Sequence, residues 1–335
     1  MHGALAGRRV LLTGASSGIG AATADRLARH GARMALLARS ETGLRRVAAR
    51  AEAVGAEAHV LPVDVRDRAA LGEAVRQAVT LLGGLDLAIV DAGGAAYGPF
   101  RDTSPEDFDA TMAVTFTGAI DTVRLTLAPL QESAGVLVVV VSVASRLPLP
   151  LLSAYSAAKH ALRGALGALR VELRAAGSPV QVCMVHPGPV DTPFWWHVSS
   201  QHGRLPPFLP VTYSAEAIAR VVVGTALRPR RERTVGAMSS LGPPVLALAR
   251  PVADAAMAAG VRWVMRHGAA ATGRGTLYEA TGDGEHSGGL YGRPSLLERV
   301  RNAGGPPDVA AGKLRPQQPP RRRARGRRRR PARRA

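Results

Sequence analysis

Tyr155 and Lys159 are the pair whose types and spacing most directly indicate acid–base chemistry. A separation of four residues places a phenol and an ammonium on one face of a helix. A free tyrosine, with a pKa of about 10, is a poor acid or base at neutral pH. We expect the ammonium to lower that pKa, so that Tyr155 exchanges a proton with a substrate oxygen while hydride moves at carbon. The alternative is an ordinary Tyr–Lys pair on a helix surface.

The use of lysine argues against an ordinary surface pair. The chain has 44 basic residues, of which only Lys159 and Lys313 are lysines. An arginine cannot present a compact ammonium on a flexible stem. A lysine four residues after a tyrosine, in a chain that otherwise uses arginine, therefore indicates a requirement for the amine.

A serine is expected beside this pair. Ser142 ends the apolar run Gly135–Ser142, and sheets of parallel strands place catalytic groups at the C-terminal ends of their strands. Its hydroxyl would donate to the substrate oxygen and hold that oxygen against Tyr155. Ser145 is the competing candidate, and Ser142 is preferred because it lies at the strand end.

The glycine spacing near the N-terminus predicts a phosphate-binding loop. Residues Thr13–Gly20 follow a strand-like run and begin an amphipathic helix. Glycines at this spacing allow a tight turn and a close approach of backbone to a pyrophosphate, while the helix N-terminus offers free N–H groups. The predicted dinucleotide site therefore includes Gly14, Ser16, Ser17, Gly18, Ile19 and Gly20.

The residues after the second and third strands bear on which dinucleotide binds. NAD sites typically place an acidic residue about 20 residues beyond the glycines, where it binds the ribose hydroxyls. Arg39 and Ser40 stand there instead, and a guanidinium suits the 2′-phosphate of NADP, so we predict NADP(H). The alternative is a plain surface arginine. Asp64 and Val65 are expected at the adenine, although Asp64 fits a helix-start acid equally well.

Alternating apolar and amphipathic segments predict the elements that position these residues. Short apolar runs bounded by Gly, Pro or charge are typical of strands covered on both faces. The expected strands are Val10–Thr13, Met34–Ala38, His59–Pro62, Leu85–Val90, Gly135–Ser142, Val180–Val185 and a short one near 234–236. The expected helices include Ile19–His30, Ala69–Leu82, Pro105–Gln131, Ser153–Ala176 and Ser214–Leu227. This order predicts an α/β chain whose residues 1–240 form a Rossmann-like, doubly wound parallel sheet.

Beyond residue 240 the pattern changes. Residues 241–303 are predicted to form a helical and irregular extension. A helix is expected over 241–267 from the spacing of Leu241, Val245, Leu248, Val252, Ala255, Ala259 and Trp263. We expect it to pack on the domain or on another subunit, with a membrane surface as the alternative. Residues 304–335 are rich in Pro and Arg and are predicted to be disordered.

Composition separates a mildly basic body from a strongly basic tail. The formal net charge is +19, but residues 313–335 hold 12 basic side chains and no acidic one. The run Arg321–Arg334 lacks interleaved aromatics and a folded reader motif, so no specific nucleic-acid binding is expected.

Cys183 is the single cysteine, which excludes an internal disulfide. Without a signal peptide or an apolar run of ~18 residues, we expect a cytoplasmic protein with no transmembrane segment.

A cluster of large apolar side chains follows the last long strand. It lies in the segment Phe194–Pro210 and consists of Phe194, Trp195, Trp196, Phe208 and Leu209. In a chain with only 4% aromatic residues, this cluster favours an apolar substrate pocket under a mobile flap. A core or dimer contact is the alternative. Three histidines lie nearby, but no cysteine or carboxylate stands at ligand spacing, so no metal site is expected at His186, His197 and His202.

The chain resembles the short-chain dehydrogenase/reductase family in the order and spacing of four motifs. These are Thr13–Gly20, Ser142, Tyr155 with Lys159, and the later run Pro187-Gly188-Pro189-Val190-Asp191-Thr192. The resemblance spans roughly residues 8–237. It implies an NADP(H)-dependent oxidoreductase that interconverts a carbonyl and an alcohol, acting on a substrate that the flap predicts to be apolar, and assembled as a homodimer or homotetramer.

The resemblance also implies further binding roles. The turn at Ala92 and Gly93 would approach the cofactor with its backbone, and Lys159 would also bind the nicotinamide ribose. Pro187 and Gly188 belong to the same cofactor-binding set, in which Val190 and Thr192 hold the nicotinamide carboxamide.

Two parts of the chain depart from the family pattern. Val90-Asp91-Ala92-Gly93 replaces the family's Asn-Asn-Ala-Gly, and Thr115 stands where the family has the helical asparagine of its proton relay. We expect the Thr115 hydroxyl to bond a backbone carbonyl one turn earlier and to sustain a slower relay.

Two other classes of function stay open. A regulatory nucleotide-binding protein that keeps the fold but has lost turnover would account for Val90 and Thr115. A nucleic-acid-associated protein would account for Arg321–Arg334. NADPH oxidation across a panel of carbonyl compounds separates the regulatory protein from an enzyme.

Overall fold

A parallel sheet flanked by helices forms the body of the protein. The computed structural model describes residues 3–195, 198–200, 212–267 and 275–280. The strands of this part are β1 (Arg9–Thr13), β2 (Arg33–Ala38), β3 (Ala58–Pro62), β4 (Leu87–Val90), β5 (Val136–Val140), β6 (Gln181–Pro187), β7 (Val190–Asp191), β8 (Tyr213–Ser214) and β9 (Glu232–Val235). Its α-helices are α1 (Gly18–Arg29), α2 (Glu41–Glu52), α3 (Arg68–Leu82), α4 (Pro105–Met112), α5 (Gly118–Ser133), α6 (Ser153–Ala175), α7 (Ala215–Leu227), α8 (Ala237–Leu248) and α9 (Arg250–His267).

Seven strands form one sheet in the order β3-β2-β1-β4-β5-β6-β9, and every neighbouring pair is parallel. The predicted Rossmann-like, doubly wound sheet is confirmed, and the short strand expected near residues 234–236 closes it as β9. Chain order reverses between β1 and β4, where sheets of this kind open a crevice beyond the carboxyl ends of their strands. The glycine loop after β1, Asp91 after β4 and Ser142 after β5 therefore meet at one edge.

Burial along β1 explains why the strands are apolar throughout. Val10 and Leu12 join a buried cluster with residues of α1, α2 and α7, whereas Leu11 joins a second cluster with residues of α3, α5 and α6. All three side chains are 0% exposed. Burying one side chain of this size contributes roughly 1.5–3 kcal/mol, and it happens on both faces, so no polar alternation remains.

The segment Pro105–Gln131, predicted as one helix, is divided. Helix α4 ends at Met112, a π-helical turn spans Ala113–Thr117, and α5 begins at Gly118. An added Cβ at Gly118 would lie 2.7 Å from Val65 Cγ2, so this helix start packs directly on the loop after β3. Such π-turns concentrate at functional sites, and this one carries Thr115.

The single helix predicted over 241–267 is wrong in two respects. The chain forms α8 and α9 with a break at Ala249, and Pro251 lies in the first turn of α9, where proline is well tolerated. The predicted apolar stripe faces solvent, since Leu248 is 88% and Val252 72% exposed. Other residues of α8 and α9 line the cavity described below. Each of them lies one or two positions further along the chain than a residue of the predicted stripe; they are Gly242, Leu246, Ala253, Met257 and Val261. The face of α8 and α9 that meets the domain is therefore not the predicted stripe.

The described part of the extension packs on the body of the protein, through a face other than the predicted apolar stripe. None of the helices in the described part is long and apolar enough to cross a membrane. The predicted disorder of residues 304–335 falls outside the described residues, as do residues 268–274 and 281–303 of the extension. The domain boundary at residue 240 stays a prediction.

Candidate active site

A cavity of about 620 Å³ lies beyond the carboxyl ends of the parallel strands. Of the residues predicted for the site, only Gly20 and Thr115 do not line it. Those that do are Gly14, Ser16, Ser17, Gly18, Ile19, Arg39, Ser40, Asp64, Val65, Ala92, Gly93, Ser142, Tyr155, Lys159, Pro187, Gly188, Val190 and Thr192. Motifs that lie far apart in the sequence therefore share one cavity.

The loop between β1 and α1 is shaped by its glycines. Gly14 has φ +70°, and an added Cβ there would lie 2.8 Å from the backbone nitrogen of Ala92. A Cβ on Gly20 would lie 2.1 Å from the Gly14 oxygen, so Gly20 contributes close packing and not a cavity wall. Ser17, which precedes α1, makes no side-chain capping hydrogen bond, and a helix N-terminus of this kind presents N–H groups that suit an anion. This loop fits a dinucleotide pyrophosphate.

Thr13 joins the ends of β1 and β4. Its hydroxyl accepts hydrogen bonds from the backbone N–H groups of Asp91 at 3.2 Å and Ala92 at 3.3 Å. The glycine loop and the Asp91–Gly93 turn are thereby held as one unit. A Cβ added to Gly93 would lie 3.9 Å from Lys159 Nζ, so this turn also closes on the lysine.

Thr115 does not make the bond that the sequence predicted. Its hydroxyl accepts from Gly94 N at 3.0 Å and donates to Gly94 O at 2.8 Å, so it does not bond a carbonyl one turn earlier in its own helix. The irregular helix comes instead from the π-turn. The side chain is 0% exposed and stands behind the cavity wall. Thr115 therefore acts as a positioning residue for the turn after β4.

This geometry makes a testable prediction for Thr115→Val. The isosteric change leaves both polar groups of Gly94 without their partner, which costs about 1 kcal/mol or more, and it loosens the turn at Gly93. We expect weaker NADPH binding and a lower melting temperature, measured by calorimetry. Thr122→Val is the matched control, because the buried Thr122 hydroxyl bonds Gly118 O of its own helix and lies away from the turn after β4. Unchanged NADPH affinity in Thr115→Val contradicts the assignment.

Tyr155, Lys159 and Ser142 converge from two elements. Tyr155 and Lys159 lie on α6, and Ser142 lies two residues beyond β5, which ends earlier than predicted. Ser142 lies close enough to the Tyr155 phenol to favour its phenolate form, and its Oγ accepts from Ala144 N at 3.1 Å. Lys159 Nζ donates to Val140 O at 3.0 Å and lies 5.6 Å from the centre of the Tyr155 ring. The lysine thus bonds the end of β5 next to the phenol.

The pKa of Tyr155 moves in the direction opposite to the prediction. Burial raises it to about 12; the neighbouring Ser142 hydroxyl opposes this shift, and the Asp91 carboxylate adds to it. Lys159 is held by Val140 O and faces Asp91. Removing a phenolate from water costs more than the favourable contact with Ser142 returns here. Tyr155 is therefore a neutral phenol at physiological pH.

Asp91 is a site residue whose role the sequence did not assign. Burial raises the pKa of its carboxyl while Lys159 opposes the shift. Burial lowers the pKa of Lys159 and Asp91 opposes that shift. The two groups thus stabilise each other's charged forms in a buried setting. The departure from the family's Asn was the signal in the sequence, because a carboxylate there can pair with a lysine and an amide cannot.

Ser145 lies behind Ser142 and does not line the cavity. Its hydroxyl donates to Ser142 O at 2.6 Å and is 2.9 Å from His186 Nδ1. His186 is 0% exposed, and burial lowers its pKa to about 4. Within the described residues, no group of three or more His, Cys, Asp or Glu is placed to hold a metal ion. His197 and His202 lie outside those residues.

The loops after β2 and β3 bring three charged side chains together. Arg39 Nη1 lies 4.0 Å from Asp64 Oδ2, and Arg66 Nη2 lies 2.6 Å from the same oxygen. Burial disfavours the Asp64 carboxylate, but the hydrogen bonds from Arg66 outweigh it and the pKa of Asp64 falls. Ser40 caps α2 by accepting from Gly43 N at 3.1 Å. Arg66 was not predicted; the signal was a second arginine two residues after Asp64.

The opposite end of the cavity is apolar. The Phe194 ring lies 5.5 Å from Tyr155 and 5.4 Å from Trp195, centre to centre, and Trp195 Nε1 donates to Val190 O at 2.8 Å. Other walls come from the loop before α6 and from α8 and α9; they include Leu147, Leu149, Leu151, Leu246, Met257 and Val261. The remaining predicted flap residues Trp196, Phe208 and Leu209 lie outside the described residues.

Comparison with known proteins identifies the family. A sequence model described as short chain dehydrogenase matches residues 8–204, more than half of the chain. The protein belongs to the short-chain dehydrogenase family. It is 28% identical over 233 residues to an uncharacterised oxidoreductase of Bacillus subtilis, and this alignment covers 69% of this chain and 65% of the relative. It is 36% identical over 191 residues to a hydroxysteroid 11-beta-dehydrogenase 1-like protein of Xenopus tropicalis, and this alignment covers 56% of this chain and 66% of the relative. The match thus spans about two thirds of both relatives.

Solved structures of the same family include both cofactor types. An alcohol dehydrogenase from the archaeon Thermococcus sibiricus, complexed with 5-hydroxy-NADP, has a TM-score of 0.61 and 26% identity, covering 68% of this chain and 94% of that one. A short chain dehydrogenase from Mycobacterium paratuberculosis bound to NAD has a TM-score of 0.60 and 28% identity, covering 70% and 97%. The two neighbours thus share this fold with the chain and differ in the nicotinamide cofactor that they hold.

Proposed function

We propose that the protein is an NADP(H)-dependent oxidoreductase that interconverts a carbonyl and an alcohol on an apolar small molecule. The observation that carries the proposal is the common cavity in which Ser142, Tyr155 and Lys159 lie between the glycine loop and an apolar wall. Arg39 stands at the cofactor end of the same cavity. A purely regulatory role would not require a buried lysine beside a phenol.

The residues at hand fit the cofactor over its whole length. The glycine loop and the N-terminus of α1 would hold the pyrophosphate, Arg39 the 2′-phosphate, and Val190 with Thr192 the carboxamide. Lys159 would bind the nicotinamide ribose. NADP(H), when bound, supplies or accepts the hydride.

Tyr155 moves the proton at the substrate oxygen. Its phenol, with a pKa raised to about 12, is protonated at neutral pH and ready to donate to a carbonyl oxygen that becomes an alcohol. The Ser142 hydroxyl, which lies beside the phenol, would hold the same oxygen from its other side. Lys159, the only lysine before residue 313, provides the positive charge that stabilises the phenolate left after transfer.

The apolar walls support a substrate with a large hydrocarbon portion. Phe194, Trp195 and Met257 line the same cavity, and such walls would exclude water from the reacting oxygen. The Xenopus relative is by name a hydroxysteroid dehydrogenase-like protein, which agrees with a substrate of this polarity. Assembly as a homodimer or homotetramer stays a prediction that light scattering tests.

The experiment is oxidation of NADPH by the purified protein against a panel of alicyclic, aryl and long-chain ketones, followed by nicotinamide absorbance. We expect turnover with several apolar ketones and little with small polar ones. Carbonyl reduction should be flat with pH near neutrality, because Tyr155 stays protonated there, whereas alcohol oxidation should rise as the solution becomes more alkaline. A protein that binds NADPH but reduces no ketone would instead be the regulatory nucleotide-binding protein considered above.

A further inference from the structure

A short segment from the C-terminal part of the chain lies in the same cavity. This segment, Gly275–Ala280, is called the strap below. Thr276 and Ala280 line the cavity at its Arg39 end. Leu277 between them is only 1% exposed, and a side chain this buried forms part of the packed structure.

Leu277 fills an apolar slot beside the loop after β3. It belongs to the buried cluster that contains Val65 and Val114, and its Cδ1 would lie 3.3 Å from a Cβ added to Gly94. Asp64 and Val65 are the residues predicted to contact the adenine, and Gly94 continues the turn expected to approach the cofactor. The leucine side chain thus stands where a flat, largely apolar base would bind.

The strap backbone engages the cationic end of the cavity. Arg39 Nη1 donates to Leu277 O at 3.4 Å, and its Nη2 donates to Thr276 O. Arg66 Nη1 donates to Leu277 O at 3.1 Å, and its Nη2 donates to Tyr278 O at 3.3 Å. Two guanidinium groups therefore converge on one carbonyl oxygen, in the arrangement that binds phosphate oxygens elsewhere.

A third contact fixes the end of the strap. The Tyr278 hydroxyl donates to Asp107 Oδ1 at 2.6 Å, and Ser199 Oγ donates to Asp107 Oδ2 at 2.8 Å. Asp107 is 2% exposed. The strap is thereby connected through one buried carboxylate to residue 199, which follows the aromatic cluster at the substrate end.

We propose that the strap occupies the adenosine 2′-phosphate end of the cofactor site and competes with NADP(H) for it. The proposal rests on the proposed function, since it concerns the same site. Leu277 takes the place of the base, and the carbonyls of residues 276–278 take the place of phosphate oxygens at Arg39 and Arg66. Bound cofactor and docked strap exclude each other.

The strap is suited to be displaced. Its carbonyls are neutral, whereas a 2′-phosphate is anionic and forms shorter, stronger hydrogen bonds with guanidinium groups. The apparent dissociation constant of the cofactor equals the intrinsic one divided by the fraction of molecules with the strap undocked. A substitution that weakens strap docking and leaves the cofactor's own contacts unchanged therefore tightens cofactor binding.

The test is calorimetric titration of the full-length protein and its Leu277→Ala variant with NADPH and with 2′,5′-ADP. The second probe lacks the nicotinamide and reports the adenosine end alone. The alanine removes most of the apolar surface that docks the strap, and we expect both probes to bind roughly tenfold more tightly. Leu248→Ala is the matched control, since Leu248 lies on α8, is 88% exposed and does not line the cavity; its affinities should equal those of the parent protein.

Equal or weaker binding of both probes to Leu277→Ala overturns the strap proposal, because the segment would then support the site instead of competing for it. Such a result leaves the proposed function intact if the parent protein still binds NADPH. Absence of binding in the parent and in the variant overturns both proposals.

Limited proteolysis of the unaltered chain provides a second measurement that needs no variant. Chymotrypsin cleaves after tyrosine, and Tyr278 is held against Asp107 when the strap is docked. We expect NADPH to accelerate cleavage after Tyr278, measured by mass spectrometry, in proportion to site occupancy. Protection of Tyr278 by NADPH would mean that the strap closes over bound cofactor, and would overturn the competition.

Discussion

Tyr155→Phe is expected to lower the turnover of carbonyl reduction by roughly 10²–10⁴-fold, the usual contribution of a positioned general acid. The change removes only the hydroxyl that protonates the substrate oxygen. The ring keeps its contact with Phe194, 5.5 Å away between centres. The affinity for NADPH should therefore stay close to that of the parent protein, because Tyr155 acts on the substrate oxygen and does not anchor the cofactor.

The controls separate loss of the acid from loss of structure. Tyr213→Phe makes the same chemical change at a buried tyrosine outside the cavity, and it should retain turnover. Lys159→Met should lower both turnover and NADPH affinity, since the lysine serves the ribose as well as the phenol. Steady-state rates with one accepted ketone and calorimetric NADPH affinities decide between these outcomes. A Tyr155→Phe variant that keeps most of its rate would show that another group donates the proton.

Local spacing predicted the parts of the site that local structure creates. Tyr155 and Lys159 share a helix face because their separation is close to one helical turn, and Gly14 and Gly18 take positive φ angles within a loop of a few residues. The positions of the strands followed from alternating apolar runs, and each run contributes a strand to the sheet. These features depend on neighbours in the sequence, which is why the sequence was sufficient to predict them.

Long-range effects were not predictable in the same way. The contacts of Arg39 with residues 276 and 277 join positions 237 and 238 apart in the chain, and no spacing rule connects them. The raised pKa of Tyr155 depends on burial by the whole fold, whereas the sequence revealed only the neighbouring ammonium. The solvent-facing Leu248 and Val252 show a third case, since the residues that meet the domain lie one or two positions after the predicted apolar stripe.

The second large effect concerns the preference for NADPH over NADH, which we expect to depend on Arg39. The parent protein is expected to bind NADPH more tightly than NADH by roughly 10- to 150-fold, because hydrogen bonds to a charged group contribute about 1.5–3 kcal/mol. Arg39→Asp replaces that donor by a carboxylate, which repels the 2′-phosphate and accepts from the ribose hydroxyl of NADH. The preference should reverse. Arg45→Asp is the control, as it makes the same charge change at an exposed arginine paired with Glu41 on α2.

The ratio of the two affinities, measured in one protein, is the decisive quantity. Arg39→Asp also removes the donors that hold Thr276 O and Leu277 O, so strap docking weakens and both cofactors gain access. That gain multiplies both affinities by the same factor and cancels in their ratio. A rise in NADH affinity alone would therefore be ambiguous, but a reversed ratio reports the 2′-phosphate contact. If the parent protein binds NADPH and NADH equally, Arg39 serves the strap and not the phosphate.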